Sequence, residues 1–198
     1  MIDLSIDSAK LYFWPNFLSN IEADELYAEL MKVSLWRQDK VKVFGKVYDQ
    51  PRLCFLAADR KINYTYSGLT LPAVEFSESL LSLKNRIEET TSAKFNSCLA
   101  NLYRDGNDSN GWHSDDEKEL GSQPIIASIS LGVTRNFDLK HKKNSLLKKR
   151  IELNHGSLLL MSGRTQEDFK HQIAKSKRIH EPRINLTFRY IFEELWKK

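Results

Sequence analysis

Hydrophobic residues recur along this chain at two periods, which separate predicted helices from predicted strands. Leu26 and Leu30 lie four positions apart behind Ser19, a residue that can cap a helix running to Met31. Between residues 76 and 87, apolar residues recur at spacings of four, three and four. That period predicts a second amphipathic helix, which covers one side of the molecule without a catalytic role.

Most of the remaining pattern is typical of strands. Residues 11–14 form an apolar run that ends at a proline, and residues 41–48 alternate apolar with basic side chains around a glycine. The second segment predicts a hairpin with Phe44 near its tip. After Phe95, apolar runs follow at short intervals. Strands at such intervals after two early helices predict an α+β fold, with a double-stranded β-helix (jelly roll) core and flanking helices.

Residues 183–190 alternate strictly between apolar and polar side chains. Ile184, Leu186 and Phe188 share one face, and the other face carries two arginines, an asparagine and a threonine. An isolated strand of this kind usually exposes its polar face to water. The alternative is a strand whose polar face lines the interior of a barrel, where guanidinium groups bind carboxylates in bidentate fashion.

Two side chains of metal-ligand type, His113 and Asp115, lie in a segment rich in turn residues. In extended backbone alternate side chains point the same way, so both can bind one ion. A His-x-Asp pair alone is a weak signal. Two imidazoles plus one carboxylate, however, form the facial triad that leaves positions of an iron ion open for oxygen chemistry.

The second imidazole must come from another part of the chain. His141 lies among lysines and indicates a solvated basic loop, whereas His155 and His180 lie in turns. His171 is the better candidate because it shortly precedes the strand with the unusual polar face. Together with His113 and Asp115, it makes the interior-facing interpretation of that strand the stronger one.

Composition sets broad limits on the class of protein. The chain has 198 residues, 41% of them hydrophobic, which is enough for one domain with a full core. A net charge of +4 fits a polyanionic partner without requiring one. Cys54 and Cys98 are too few for a disulfide framework and are interpreted as packing residues. The chain shows no signal-peptide pattern and no run approaching the ~20 apolar residues of a spanning helix, so we expect a soluble intracellular protein.

The motifs, taken in order, resemble one enzyme family. Asn101-x-Tyr103, His113-x-Asp115, His171 and Arg183-x-Asn185-x-Thr187-Phe-Arg189 resemble the AlkB-type iron(II) and 2-oxoglutarate-dependent dioxygenases, which repair alkylated nucleic acid. The resemblance runs from about Lys42 to Ile191 and is most specific in its C-terminal half. Upstream, residues 43–46, 51–52 and 64–68 resemble the branch of that family that acts on double-stranded DNA.

The resemblance implies a catalytic centre in which His113, Asp115 and His171 bind Fe(II). It also implies 2-oxoglutarate as cosubstrate and O2 as oxidant. The residues that it assigns to the cosubstrate are Asn101, Tyr103, Arg183, Asn185, Thr187 and Arg189.

The implied reaction is oxidative demethylation of N-alkylated DNA bases, such as 1-methyladenine and 3-methylcytosine, with release of succinate, CO2 and formaldehyde. Duplex DNA is the expected form, because Phe44 would act as a wedge entering the duplex. Tyr64 and Tyr66 would then be walls of a pocket for the flipped base. The residues assigned to the substrate are Val43, Phe44, Gly45, Lys46, Arg52, Tyr64, Tyr66, Asp116 and Glu117.

We expect one dioxygenase domain over residues 1–198, with a nucleotide-recognition region at 1–90 and the catalytic jelly-roll core at 91–198. A monomer without membrane association is expected, in the cytoplasm of a bacterium or the nucleus of a eukaryote. Three alternatives remain: the same chemistry on single-stranded DNA or RNA, hydroxylation of a protein or small molecule, and a DNA-binding jelly roll without chemistry. Asp115, His171 and Arg189 together argue against the last. The basic segment 140–150 is either a solvated loop or, beside a nucleic-acid site, a loop that binds phosphates.

Overall fold

The computed structural model describes residues 1–43, 46–59, 63–66 and 69–192, and of residues 41–43, 46, 63–66 and 69–71 it describes the backbone alone. Its helices are α1 (Asn20–Lys32), α2 (Glu78–Thr91) and the single turn α3 (Thr165–Asp168), with a short 3-10 helix at Lys118–Leu120. The strands are β1 (Ile2–Asp3), β2 (Ala9–Trp14), β3 (Lys40–Val43), β4 (Lys46–Asp49), β5 (Leu53–Ala58), β6 (Asn63–Tyr66), β7 (Leu69–Glu75), β8 (Ser97–Tyr103), β9 (Asn110–His113), β10 (Ile126–Gly132), β11 (Arg135–His141), β12 (Lys148–Leu153), β13 (Ser157–Gly163), β14 (Phe169–Ile173) and β15 (Arg183–Arg189).

Two large sheets organise these strands. Within the described residues, nine strands form one sheet in the order β1-β2-β13-β10-β15-β8-β5-β7-β6, and four form a second sheet in the order β12-β11-β14-β9. The nine-stranded sheet is antiparallel except where β5 pairs with β7. This arrangement confirms the predicted jelly-roll core with flanking helices.

The nine-stranded sheet separates two hydrophobic cores because alternate side chains of each strand point to opposite faces. In β13, Leu158 and Leu160 pack in the core that contains the buried faces of α1 and α2. Leu159 and Met161 pack on the other face, against apolar residues of β11, β12 and β14. Each such side chain contributes roughly 1.5–3 kcal/mol when fully buried, so the alternation fixes the register of the sheet.

The strand β15 confirms the interior-facing interpretation. All seven of its residues are buried, including both arginines. Ile184, Leu186 and Phe188 belong to the core beneath the helices. The polar side chains therefore project into the space between the two sheets.

Both long helices occur where the hydrophobic period predicted them. Ser19 caps α1, accepting a hydrogen bond from the Glu22 backbone while the Glu22 carboxylate accepts one from the Ser19 backbone. Ser77 caps α2, whose buried face includes Leu80, Leu83 and Ile87 at the predicted spacings. Phe76 was expected on that helix but precedes its cap, and its ring stacks on Phe188 at 6.5 Å.

The predicted hairpin around residues 41–48 is formed by β3 and β4, which pair from Lys40 with Asp49 to Val43 with Lys46. Its expected tip residues, Phe44 and Gly45, lie outside the described residues. The part of the chain that the structure describes contains no helix long and apolar enough to cross a membrane.

The interpretation of residues 140–150 as a loop was wrong at both ends of the segment and holds only for residues 142–147. Lys140 and His141 end β11, and β12 begins at Lys148, so most of the basic residues belong to a paired hairpin. Leu139 and Ile151 bury their side chains between the sheets, and this inward alternation explains why the segment is extended.

Candidate metal centre and cosubstrate pocket

The polar face of β15 lines a cavity of about 390 Å³ between the two sheets. β8 and β10 extend the same wall, and β9 and β14 form the opposite one. The predicted metal ligands and the predicted cosubstrate residues all border this cavity. They are His113, Asp115, His171, Asn101, Tyr103, Arg183, Asn185, Thr187 and Arg189.

The three predicted metal ligands converge within the cavity. His113 ends β9 and lies directly opposite His171 of β14, and Asp115 follows β9 by two positions. One ligand-type atom from each residue lies within 4.8 Å of those of the other two. His113 Nε2 is 3.6 Å from Asp115 Oδ1. Strand pairing therefore brings the second histidine to the His-x-Asp motif.

Hydrogen bonds determine the tautomer of the His113 ring. Its Nδ1 lies 2.7 Å from the Gly111 carbonyl oxygen, which can only accept, so Nδ1 carries the proton. Nε2 is then the acceptor, 3.1 Å from Asn110 Nδ2. A histidine whose Nδ1 donates to a backbone carbonyl, which leaves the lone pair on Nε2, is the usual arrangement of a metal-binding imidazole.

His171 is held mainly by packing. Its ring stacks on Phe137 at 5.1 Å, and its Nδ1 is buried without a hydrogen-bond partner among the described residues. Burial lowers the pKa of His171 to about 3, and burial also lowers the pKa of His113. Both imidazoles are therefore neutral at physiological pH, which is the form that binds a metal.

Asp115 is the anionic ligand of the group. Burial alone would raise the pKa of its carboxyl, but the Arg189 guanidinium beside it holds that pKa well below its usual range. Arg189 donates to Asp115 Oδ2 from Nη2 at 2.6 Å and from Nε at 3.1 Å. The backbone N–H of Asp115 donates to Gln166 Oε1 at 3.0 Å. Two neutral imidazoles and one oriented carboxylate fit a divalent cation such as Fe(II).

Arg183 has a different environment from Arg189. Its Nη2 donates to Ser130 Oγ at 2.9 Å, whereas Nε and Nη1 are buried and have no partner within the described part of the chain. Burial lowers the pKa of this guanidinium to about 10, so it remains charged at neutral pH. A buried cation with unsatisfied donors fits a carboxylate, which accepts two parallel hydrogen bonds.

Asn185 and Thr187 are already hydrogen-bonded within the cavity wall. Thr187 Oγ1 donates to Asn185 Oδ1 at 2.8 Å, and Asn185 Nδ2 donates to Ser128 Oγ at 2.8 Å. These hydrogen bonds orient the side-chain amide of Asn185 in the cavity that also contains Arg183. Asn185 and Thr187 therefore both lie in the cavity wall, as predicted.

Arg135 is a buried arginine that the sequence interpretation did not single out. Its guanidinium lies 5.6 Å from the centre of the Tyr103 ring, and that of Arg183 lies 5.3 Å from the same ring. Arg135 donates to three backbone carbonyls, those of Asp105 (3.1 Å), Asp108 (3.0 Å) and Ala174 (2.8 Å). These carbonyls precede β9 and follow β14, so one side chain connects the ends of both ligand-bearing strands.

The residues predicted to bind substrate are distributed unevenly. Arg52 lines the cavity and donates from Nε to Asn101 Oδ1 at 2.8 Å, and Glu117 lines the cavity as well. Asp116 points away from it, with its side chain 61% exposed and 3.4 Å from Lys142 Nζ. The predictions for Phe44 and Gly45, and for the side chains of Val43, Lys46, Tyr64 and Tyr66, fall outside what the structure describes.

Ser130 and Gln166 were also missed as contributors to the site. Ser130 alternates with buried Ile129 and Leu131 in β10, so its period of two marked it as an interior-facing polar residue. Gln166 gives no comparable signal, because it reaches Asp115 from the single-turn helix α3.

Comparisons with known proteins bear on this arrangement. The family model described as 2OG-Fe(II) oxygenase superfamily matches residues 10–189. The chain is 42% identical over 189 residues to alpha-ketoglutarate-dependent dioxygenase alkB homolog 3 of Bos taurus, covering 91% of this chain and 65% of that protein. It is 38% identical over 180 residues to DNA oxidative demethylase ALKBH2 of Mus musculus, covering 86% of this chain and 75% of that protein.

A solved structure extends the comparison to the fold. A prolyl hydroxylase from Trichoplax adhaerens, in complex with a hypoxia inducible factor peptide fragment, gives a TM-score of 0.64 at 13% identity, with 93% of this chain and 84% of that chain covered. At this identity the likeness shows the fold alone. The chain spans less than two thirds of the bovine relative's length, at 65%.

Proposed function

Because the chain belongs to the 2OG-Fe(II) oxygenase superfamily and, within it, to the AlkB family, we propose that it is an iron(II)- and 2-oxoglutarate-dependent dioxygenase that dealkylates nucleic-acid bases. One observation carries the proposal. His113, Asp115 and His171 converge in a cavity that also contains the unsatisfied donors of Arg183. A metal site and a carboxylate site in one cavity are what this cosubstrate needs.

The side chains of the cavity have distinct roles in this proposal. Bound Fe(II), together with 2-oxoglutarate and O2, supplies the oxidation of the alkyl carbon. Arg183 binds a carboxylate of the cosubstrate, and Arg189 keeps Asp115 ionised and oriented towards the metal position. Asn101, Tyr103, Asn185 and Thr187 supply hydrogen bonds to the cosubstrate and complete the polar wall.

We propose N-alkylated bases, such as 1-methyladenine and 3-methylcytosine in DNA, as substrates. The support is the identity to a relative named DNA oxidative demethylase and the net charge of +4, which suits a polyanion. The base must leave the stack, at a cost of about a few kcal/mol that is smallest for a damaged base. Tyr64 and Tyr66 are proposed as stacking walls, Arg52 and Glu117 as contacts inside the cavity, and Asp116 as a contact with the nucleic acid outside it.

Residues 1–90 and 91–198 are proposed as the nucleotide-recognition region and the catalytic core. The two regions share one sheet, since β2 pairs with β13 and β5 pairs with β8. We therefore expect them to unfold together in a single transition.

The direct test is incubation with Fe(II), 2-oxoglutarate and a methylated oligonucleotide, supplied in single- and double-stranded form. Succinate, formaldehyde and the mass of the base are followed. We expect formaldehyde and restored base only with the methylated strand, and neither with His171→Ala. Succinate that forms at the same rate with and without methylated nucleic acid would favour a protein or small molecule as substrate.

A preference for duplex DNA depends on Phe44 and stays a prediction. Extruding a base leaves a gap, and an apolar side chain inserted there recovers roughly 1–3 kcal/mol of stacking. Phe44→Ala should therefore depress repair of a methylated duplex by about tenfold and leave single-strand repair nearly unchanged. Equal losses of repair activity on duplex and single-stranded DNA would show that Phe44 does not act as a wedge, and would favour the single-strand alternative.

A further inference from the structure

The outer face of the four-stranded sheet carries a row of three lysines. Lys140 of β11 lies directly opposite Lys148 of β12 on one side and opposite Lys170 of β14 on the other. All three side chains are exposed. Adjacent strands are about 4.8 Å apart, so the row spans about 10 Å.

Like charges directly opposite each other destabilise a sheet. Lys140, Lys148 and Lys170 have no ion-pair partner among the described residues. The neighbouring row of the same sheet shows the usual solution. There Asp138 accepts from Arg150 Nε at 2.6 Å and from Gln172 Nε2 at 3.1 Å. One row is neutralised within the sheet, and the adjacent row is left cationic.

Trp112 continues this surface to the cavity. It precedes the metal ligand His113 in β9, the edge strand of the sheet, and lies at the rim of the cavity. Trp112 is 38% exposed, and Lys140 Nζ lies 4.1 Å from the ring centroid. The surface formed by Trp112, Lys140, Lys148 and Lys170 therefore extends from the rim of the cavity across the four strands of the sheet.

We propose that this surface binds the nucleic-acid strand that carries the target base, with the lysine row on its phosphates and Trp112 stacked on a neighbouring base. The proposal rests on the proposed function, because it takes the base in the cavity as its starting point. Spaced cations beside an exposed aromatic ring are the combination that binds a strand without regard to its sequence. A purely acidic protein partner would need the lysines but not the aromatic ring at the cavity rim.

Binding of single-stranded oligonucleotides of about 4 and about 15 nucleotides, measured over a range of salt concentrations, tests the lysine row. For the longer strand, Lys140→Ala, Lys148→Ala and Lys170→Ala should each reduce the salt slope by about 0.7. The short strand, which cannot cover both the cavity and the row, should show a smaller change. Lys32→Ala, at the end of α1 on the helical side of the nine-stranded sheet, is the matched control and should keep the wild-type slope.

The aromatic part is tested by Trp112→Ala and Trp112→Phe. We expect Trp112→Ala to weaken binding of the longer strand by about fivefold or more at high salt, and Trp112→Phe to restore most of it. Thermal unfolding of each variant shows whether the fold is retained. Wild-type salt slopes in all three lysine variants would overturn the proposal, as would full affinity in Trp112→Ala. Because these assays measure binding, a wild-type protein that binds through this surface but removes no methyl group would refute the proposed function alone.

Discussion

Replacing Arg183 by methionine should stabilise the protein in the absence of 2-oxoglutarate and weaken its binding of that cosubstrate. Nε and Nη1 of Arg183 are buried without a partner among the described residues, and each such donor costs roughly 1–3 kcal/mol. The variant loses one hydrogen bond, to Ser130, worth roughly 1.5–3 kcal/mol. The balance favours the variant by roughly 1–3 kcal/mol, similar to other buried charges replaced by apolar residues.

The same change should weaken 2-oxoglutarate binding. If the two free donors meet a carboxylate, their charge-assisted hydrogen bonds contribute about 3 kcal/mol or more together, which is a factor of about 100 in affinity. Thermal unfolding with Mn(II), with and without 2-oxoglutarate, measures both effects. Wild type should gain about 2.7 kcal/mol at a ligand concentration 100 times Kd, whereas Arg183→Met should gain almost nothing at that concentration.

Arg135→Met is the matched control, because Arg135 is equally buried and lies on the same Tyr103 ring. Its donors reach three backbone carbonyls, and these would lose their partners. We expect a loss of about 3 kcal/mol or more, since each unsatisfied buried group costs roughly 1–3 kcal/mol. Equal destabilisation by the two variants would refute the reasoning. Unchanged 2-oxoglutarate affinity in Arg183→Met would place the carboxylate elsewhere, with Arg189 as the next candidate.

Three further predictions concern other parts of the molecule. His171→Ala and Asp115→Ala should both abolish the binding of Co(II), which is measured by its absorption spectrum. Asp115→Ala should also lower the free energy of unfolding by about 3–5 kcal/mol, because Arg189 loses its buried counter-ion. Burial raises the pKa of Cys54 to about 11, and Cys98 is buried more deeply. Both thiols should therefore resist a thiol reagent at pH 8 in the native protein and react in denaturant. Labelling of the native protein would contradict their burial. Ser19→Ala should lower the free energy of unfolding by about 1 kcal/mol, measured by urea denaturation, because it removes the capping box of α1; an unchanged midpoint would show that the cap contributes nothing.

The site could be predicted to the extent that it depends on local periodicity. In β15, polar residues at every second position were recognisable as one face of a strand, and the two histidines and the aspartate were recognisable by their ligand chemistry. Burial of that polar face could not follow from the period alone, because a solvated strand has the same pattern. The ligands in β9 and β14 decided between the two interpretations.

Contacts that depend on the pairing of distant strands could not be predicted in this way. The run of basic residues near Lys140 predicts a loop, since charged runs are usually solvated, whereas the inward-facing Leu139 and Ile151 on either side of it belong to paired strands. The partner of each lysine is set by the register of β11 with β12 and β14. Nothing local in the sequence specifies that Lys140, Lys148 and Lys170 form one row.

The two arginines of β15 show that strand pairing can give similar residues different partners. They lie six positions apart on one face and carry the same charge, so the sequence assigns them one role. In the structure Arg189 meets the carboxylate of Asp115, and its charge acts on the metal ligand. Arg183 donates to the Ser130 hydroxyl and lies over the Tyr103 ring, but its Nε and Nη1 have no hydrogen-bond partner among the described residues, so most of its capacity to bind an anion remains. The difference comes from the groups that each guanidinium faces. It supports the proposal that Arg183 binds the cosubstrate while Arg189 holds the metal ligand Asp115.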